Sequence, residues 1–169
     1  MTKKEWILWI ASLLIVIVSN LFSSDFDLLT LVAALVGVTS LIFAAKGNVW
    51  AQILMIVFSI LYGIISYRFR YWGEMITYLG MTLPMAVWST ITWLRHPSGS
   101  DGSEVEIQVL HRTHLLCVGG VSVIVTFVFY LILAALDTPN IVFSTISVVT
   151  SFLAAALTML RSSYYALGY

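Results

Sequence analysis

The chain has 169 residues, of which 60% are hydrophobic and only 9% charged, with a net charge of zero. A soluble domain is about one quarter charged, so a chain this poor in charge has no means of covering itself with a hydrated surface, and the bilayer becomes its solvent. The zero balance argues against nucleic-acid binding, and the single cysteine, Cys117, rules out an intrachain disulfide.

Six apolar runs come close to the roughly 20 residues that a membrane helix requires. They are Trp6–Phe22, Leu29–Ala45, Val49–Tyr67, Glu74–Leu94, Leu115–Leu136 and Ile141–Leu160. Backbone polar groups in lipid must bond within their own segment, so each run reads as a helix. The fold class expected is an all-α polytopic membrane protein with six transmembrane helices. The first run follows Lys3 and Lys4 but lacks a small-residue cleavage site, so it reads as a retained helix rather than a signal peptide.

The second run ends at Lys46-Gly47, a helix stop. The third and fourth form a hairpin between Lys46 and Trp93, and Pro84 is expected to break or kink the fourth. His96 to Ser103 reads as a flexible loop, followed by the short mixed stretch Glu104–Gln108. With the N-terminus in the cytoplasm, the inner side carries Lys3, Lys4, Lys46, Arg95, Arg112 and Arg161, and the outer side Asp25, Asp27 and Asp137. Six of the eight basic residues then obey the positive-inside rule, and both termini are cytoplasmic. The exceptions are Arg68 and Arg70, in the outer turn of the hairpin.

Gly37-Val38-Thr39-Ser40 in the second run resembles Val148-Val149-Thr150-Ser151 in the sixth, and both continue into small residues. Small residues allow close helix approach in membranes, so the match is open to convergent packing. It also fits a parallel three-helix repeat with the fifth run as linker, an arrangement some transporters use to place substrate at the repeat interface. A second repeat beginning at Ile141 needs two more helices, so the chain is expected to be incomplete or completed by another subunit.

The ordered set Ala45-Lys46-Gly47, Leu61-Tyr62-Gly63, Ser66-Tyr67, Gly73-Glu74 and Leu83-Pro84-Met85, with Ser144–Leu153 and Arg161 later, resembles the PnuC family of bacterial vitamin B3 transporters over roughly Leu29 to Tyr169. The resemblance implies uptake of nicotinamide riboside by facilitated diffusion with alternating access, without cofactor or metal, in the bacterial inner membrane, with assembly as a homotrimer. It also implies a SWEET-like architecture. In that scheme residues 1–28 are an extra N-terminal helix, 29–95 the first triple-helix bundle, 96–114 a cytoplasmic loop, 115–140 the linker helix and 141–169 the truncated start of a second bundle. Where many members carry pathway amides this chain has Phe58, Tyr78 and Ala86, and the next helix of the family, rich in Trp and Asn, is missing.

A site for such a nucleoside needs an aromatic surface for a cationic ring, and hydroxyls or amides for orientation. The candidates are Gln52, Tyr62, Tyr78, Thr82, Trp88 and Thr150. Tyr78, Thr82 and Met85 share a face by their spacing. Tyr and Trp also gather at membrane interfaces, and that belt reading covers Trp6, Trp9, Trp50, Tyr71, Trp72 and Trp93. Glu74 suits a helix N-terminus and pairs in this reading with Arg68 or Arg70, with attraction of a cationic substrate as the second possibility. Pro84 serves as a hinge or as a packing kink. The hydroxyls of Thr39, Ser40, Thr145, Ser147, Thr150 and Ser151 either line a pathway or bond their own helix.

His111 and His114, with His96 nearby and Cys117 three residues after His114, mark the start of a cytoplasmic helix, where cationic residues meet headgroups, so they are not read as a metal site. No nucleophile–base pair or phosphate loop is present, so no enzyme is read. No helix core carries paired carboxylates, which argues against proton coupling. Two rival readings stand beside the riboside transporter: a permease for another nucleoside or small sugar, and a non-transporting membrane interaction subunit.

Overall fold

A computed structural model describes residues 3–22, 26–98, 103–137 and 141–164. Asp25, the loop tip at 99–102, the turn residues 138–140 and the tail at 165–169 lie outside the described residues. The helices are α1 (Lys3–Leu21), α2 (Leu28–Ala44), α3 (Trp50–Arg68), α4 (Trp72–Ile76), α5 (Leu83–Arg95), α6 (Arg112–Ala135) and α7 (Ile141–Met159), with a π-helical segment at Thr77–Thr82 between α4 and α5. By length and composition α1, α3, α6 and α7 are able to cross a membrane, and α2 is a shorter apolar helix.

Two turns show how local chemistry sets the helix ends. At the start of α2, the Asp27 carboxylate accepts from the Thr30 amide (3.2 Å) and the Thr30 hydroxyl (2.7 Å), satisfying one of the donors a helix start leaves open. At the α2–α3 turn Gly47 takes φ +64°, a left-handed conformation natural for glycine. The Asn48 side chain then caps α3 by accepting from the Trp50 amide at 3.0 Å.

The Thr30 hydroxyl bond holds the Asp27 carboxyl below its ordinary value, helped by the Thr30 amide and the Arg68 charge. A lowered folded-state value means the cap contributes fully above the ordinary carboxyl pKa. That contribution is lost as pH falls through the folded value. Thermal unfolding is therefore expected to weaken below about pH 4. Asp27→Asn keeps a competent cap and flattens this acid dependence; an unchanged slope in that variant counts against the cap as its source.

The break expected at Pro84 lies one turn earlier. Pro84 is the second residue of α5 and follows the π segment with no break in helical backbone, so its missing N–H removes a bond from a continuous helix. Its ring would crowd the carbonyl four residues back in a regular helix, and the wider π turns stand at that place. The segment is braced by the Thr77 hydroxyl donating to the Gly73 carbonyl (2.9 Å) and the Thr82 hydroxyl to the Thr77 carbonyl (3.3 Å).

Helix α2 packs on α3, α3 on α5 and the π segment, α5 on α7, and α6 on α7, while α1 joins through α2. Close approach relies on small residues. Ser40 and Ser59 are buried and donate to the Ala51 and Met55 carbonyls, and a Cβ at Gly63 would sit 2.6 Å from the Leu79 side chain. On α1, Glu5 pairs with Lys46 at 2.7 Å, which raises the Lys46 pKa, and the Trp9 indole donates to the Thr39 hydroxyl at 3.3 Å.

The segment after α5 is not the loose loop its composition suggests. Pro97–Ser98 (β1) and Glu104–Val105 (β2) form a short antiparallel pair. Val105 donates to the Gly47 carbonyl (2.9 Å), and the Ser103 carbonyl accepts from Val49 (3.0 Å). Gln108 donates to the Arg161 carbonyl from its backbone (2.9 Å) and to the Leu160 carbonyl from its side chain (2.8 Å). The segment is a strap tying the α2–α3 turn and the end of α5 to the end of α7. Trp93 lies beneath it, fully buried against Val49, Val105 and Ile53, so the interfacial-belt reading of Trp93 is corrected.

Candidate functional site

The strap draws the C-terminal ends of α2 and α7 to one side of the bundle, so these helices run parallel, as the internal resemblance requires. Between them lies a cavity of about 580 Å³, within the size range of small-molecule sites. Its small-residue walls are Ala33, Ala34 and Gly37 from α2 and Ala154 and Ala155 from α7.

Five of the six pathway candidates line this cavity: Gln52, Tyr62, Tyr78, Thr82 and Thr150. The sixth does not. Trp88 is 62% exposed and faces away from the cavity. The residue that lines it instead is Ser89, which continues the stripe of Tyr78, Thr82 and Met85 by one more turn. That spacing was available in the sequence; serine is simply a weaker signal than tryptophan.

Phe58, Tyr62 and Tyr78 form one aromatic wall. Phe58 and Tyr62 lie one turn apart on α3 with ring centroids 5.6 Å apart, and Tyr78 of the π segment meets them at 5.7 and 4.4 Å. Such geometry suits stacking and cation–π attraction. At the strap end of the cavity Gln52 is 2% exposed, and no hydrogen bond from the described residues engages its amide. Ser89 is 1% exposed and its hydroxyl has no partner among the described residues. Buried polar groups are normally satisfied, so the Ser89 hydroxyl stands out among the residues lining this cavity. Thr150 spends its hydroxyl on its own helix, donating to the Ser147 carbonyl at 3.0 Å.

A second cavity of about 620 Å³ opens on the side away from the strap and shares Tyr62, Tyr78, Thr82 and Ser151 with the first. It holds Glu74, Arg70 and Asp137. The expected pairing of Glu74 with Arg68 or Arg70 is not formed. Arg68 instead meets Asp27 at 3.5 Å, and Glu74 stands next to the Tyr62 hydroxyl, in electrostatic reach of Tyr78.

A bundle of membrane-length helices around a solute-sized, aromatic-walled cavity defines a multi-pass membrane fold with room for a small molecule. The comparisons with known proteins agree. The model of the nicotinamide mononucleotide transporter family matches residues 27–166, and the chain belongs to that family. It is 28% identical over 133 residues to the nicotinamide riboside transporter PnuC of Neisseria mucosa, an alignment covering 77% of this chain and 51% of that protein. The chain thus spans about half the length of this curated relative. Its fold matches the crystal structure of the vitamin B3 transporter PnuC with a TM-score of 0.82 and 27% identity, over all of this chain and 73% of that one.

Proposed function

We propose that this chain carries nicotinamide riboside across a bacterial inner membrane by facilitated diffusion. The observation that carries the choice of the riboside over its phosphorylated form is the lining of the first cavity. Among the described residues that line it, none is charged. A phosphate brings at least one full negative charge and calls for Arg, Lys or a helix start, whereas a riboside needs only polar partners and a ring surface. Gln52 and Ser89 suit the hydroxyls, and Phe58, Tyr62 and Tyr78 suit the cationic ring.

The parallel placement of α2 and α7 supports a SWEET-like arrangement, with α2, α3 and α5 as one bundle, α6 as linker and α7 opening a second, and α1 added at the front. Alternating access is the mechanism in this reading. Trp93, Val49 and Val105 close the strap side, and the second cavity leads to the other. The π segment and Pro84 provide the place where the fourth apolar run bends. Lys46, Arg95, Arg112 and Arg161 cluster on the strap side, which supports a cytoplasmic placement of that side under the positive-inside rule. Trimeric assembly belongs to the same reading and rests on the family resemblance.

Uptake of labelled nicotinamide riboside into proteoliposomes tests the proposal. The expected result is saturable uptake, competed by excess unlabelled riboside and not by its mononucleotide or by small sugars. Competition by a sugar or by another nucleoside in preference to the riboside would favour a different permease, and no uptake above empty vesicles would overturn the transport reading for this chain.

A further inference from the structure

Resting on that reading, we propose that the second cavity is a separate capture site for the cationic ring, in which Glu74 supplies the charge and Tyr62 and Tyr78 the aromatic face. Three observations point there. The Glu74 carboxylate is exposed at the cavity wall and forms no ion pair with Arg68 or Arg70, although both lie in the adjoining turn. It stands beside the two tyrosines, whose rings are 4.4 Å apart. These same tyrosines border both cavities, so a ring held against them on the Glu74 side is already at the entrance of the inner cavity.

The charges around this mouth are Glu74 and Asp137 against Arg70, an excess of one negative charge. That excess attracts a pyridinium cation and gives nothing to an uncharged ring of the same shape. The inner cavity lacks charge and holds unpartnered polar groups. A division of labour follows: both cavities share the aromatic face, the outer site adds a charge to it and the inner one adds partners for hydroxyls.

The test is equilibrium binding by calorimetry to the purified full chain, with nicotinamide riboside and its uncharged 1,4-dihydro form as the two probes. The wild type is expected to bind the cationic form about tenfold more tightly. Glu74→Gln should bring the two affinities within about twofold, and Arg70→Gln should widen the gap. Equal affinities in the wild type would overturn the proposal, as would a preference that survives in Glu74→Gln, or one lost only through equal weakening of both probes. Uptake is measured separately. Charge-selective binding without uptake leaves the capture site standing and removes the transport function, whereas uptake without charge selectivity does the reverse.

Discussion

Replacing Trp93 by alanine is expected to cost about 3–5 kcal/mol of stability, the range for emptying a buried tryptophan site. The indole is fully buried against Val49, Val105 and Ile53, and its N–H donates to the Thr158 carbonyl at 2.9 Å. One side chain therefore holds α5 to α7 and the strap to both. Trp93→Phe retains most of the apolar contact and loses the N–H bond, so it should cost about 0.5–1.5 kcal/mol. Thermal unfolding in detergent gives the magnitudes. Amide exchange gives the location, because Val105 and Gln108 donate the strap bonds and should lose protection in the alanine variant before α2 or α3 does. A midpoint unchanged by Trp93→Ala, or full protection retained at Val105, would show that the strap stands without the indole.

The apolar runs made the membrane helices readable because lipid imposes one requirement, internal backbone bonding, on every spanning segment. All six runs are helices in the structure, with ends shifted by only a few residues: α2 begins at Leu28 and α6 at Arg112. The π segment was not readable, because Thr77–Thr82 has the composition of an ordinary helix. The strap was not readable either. Glu104–Gln108 has too few apolar residues to signal burial, and only the tertiary setting of Val105 under Gly47 and beside Trp93 makes it a buried strand. Trp93 shows the same limit from the other side, since an indole near a helix end reads as interfacial until something folds back over it.

At the candidate site, residue type at helical spacing points to Tyr78 and Thr82, which line the cavity, while Trp88, one register position from Ser89, faces outward. Sequence proximity pairs Glu74 with Arg68 or Arg70. The structure draws Arg68 away to Asp27, a residue 41 positions earlier that no local pattern connects to it. The unpartnered Ser89 hydroxyl was beyond sequence reading, because whether a buried polar group finds a partner among the described residues depends on several helices at once.

Gln52→Leu should change stability and transport in opposite directions. Leucine nearly matches glutamine in size and removes a buried amide that no hydrogen bond from the described residues engages. Desolvating such a group costs about 1–3 kcal/mol, so its removal is expected to leave the unfolding midpoint unchanged or raise it. If the amide orients the ribose hydroxyls, losing one or two ligand hydrogen bonds, at about 1.5–3 kcal/mol, lowers riboside uptake kcat/KM by about 10- to 100-fold. Ser89→Ala, which removes a single hydroxyl from the same end of the cavity, should show a smaller fall. Trp88→Phe, on the outer face, should leave uptake near wild type. Loss of uptake accompanied by a drop in unfolding midpoint would make Gln52 a structural amide, and undiminished uptake would remove it from the pathway. A more stable protein that no longer transports is the outcome specific to a buried polar group kept for its ligand, because a packing residue cannot be removed at a gain and a bystander cannot be removed at a loss of uptake.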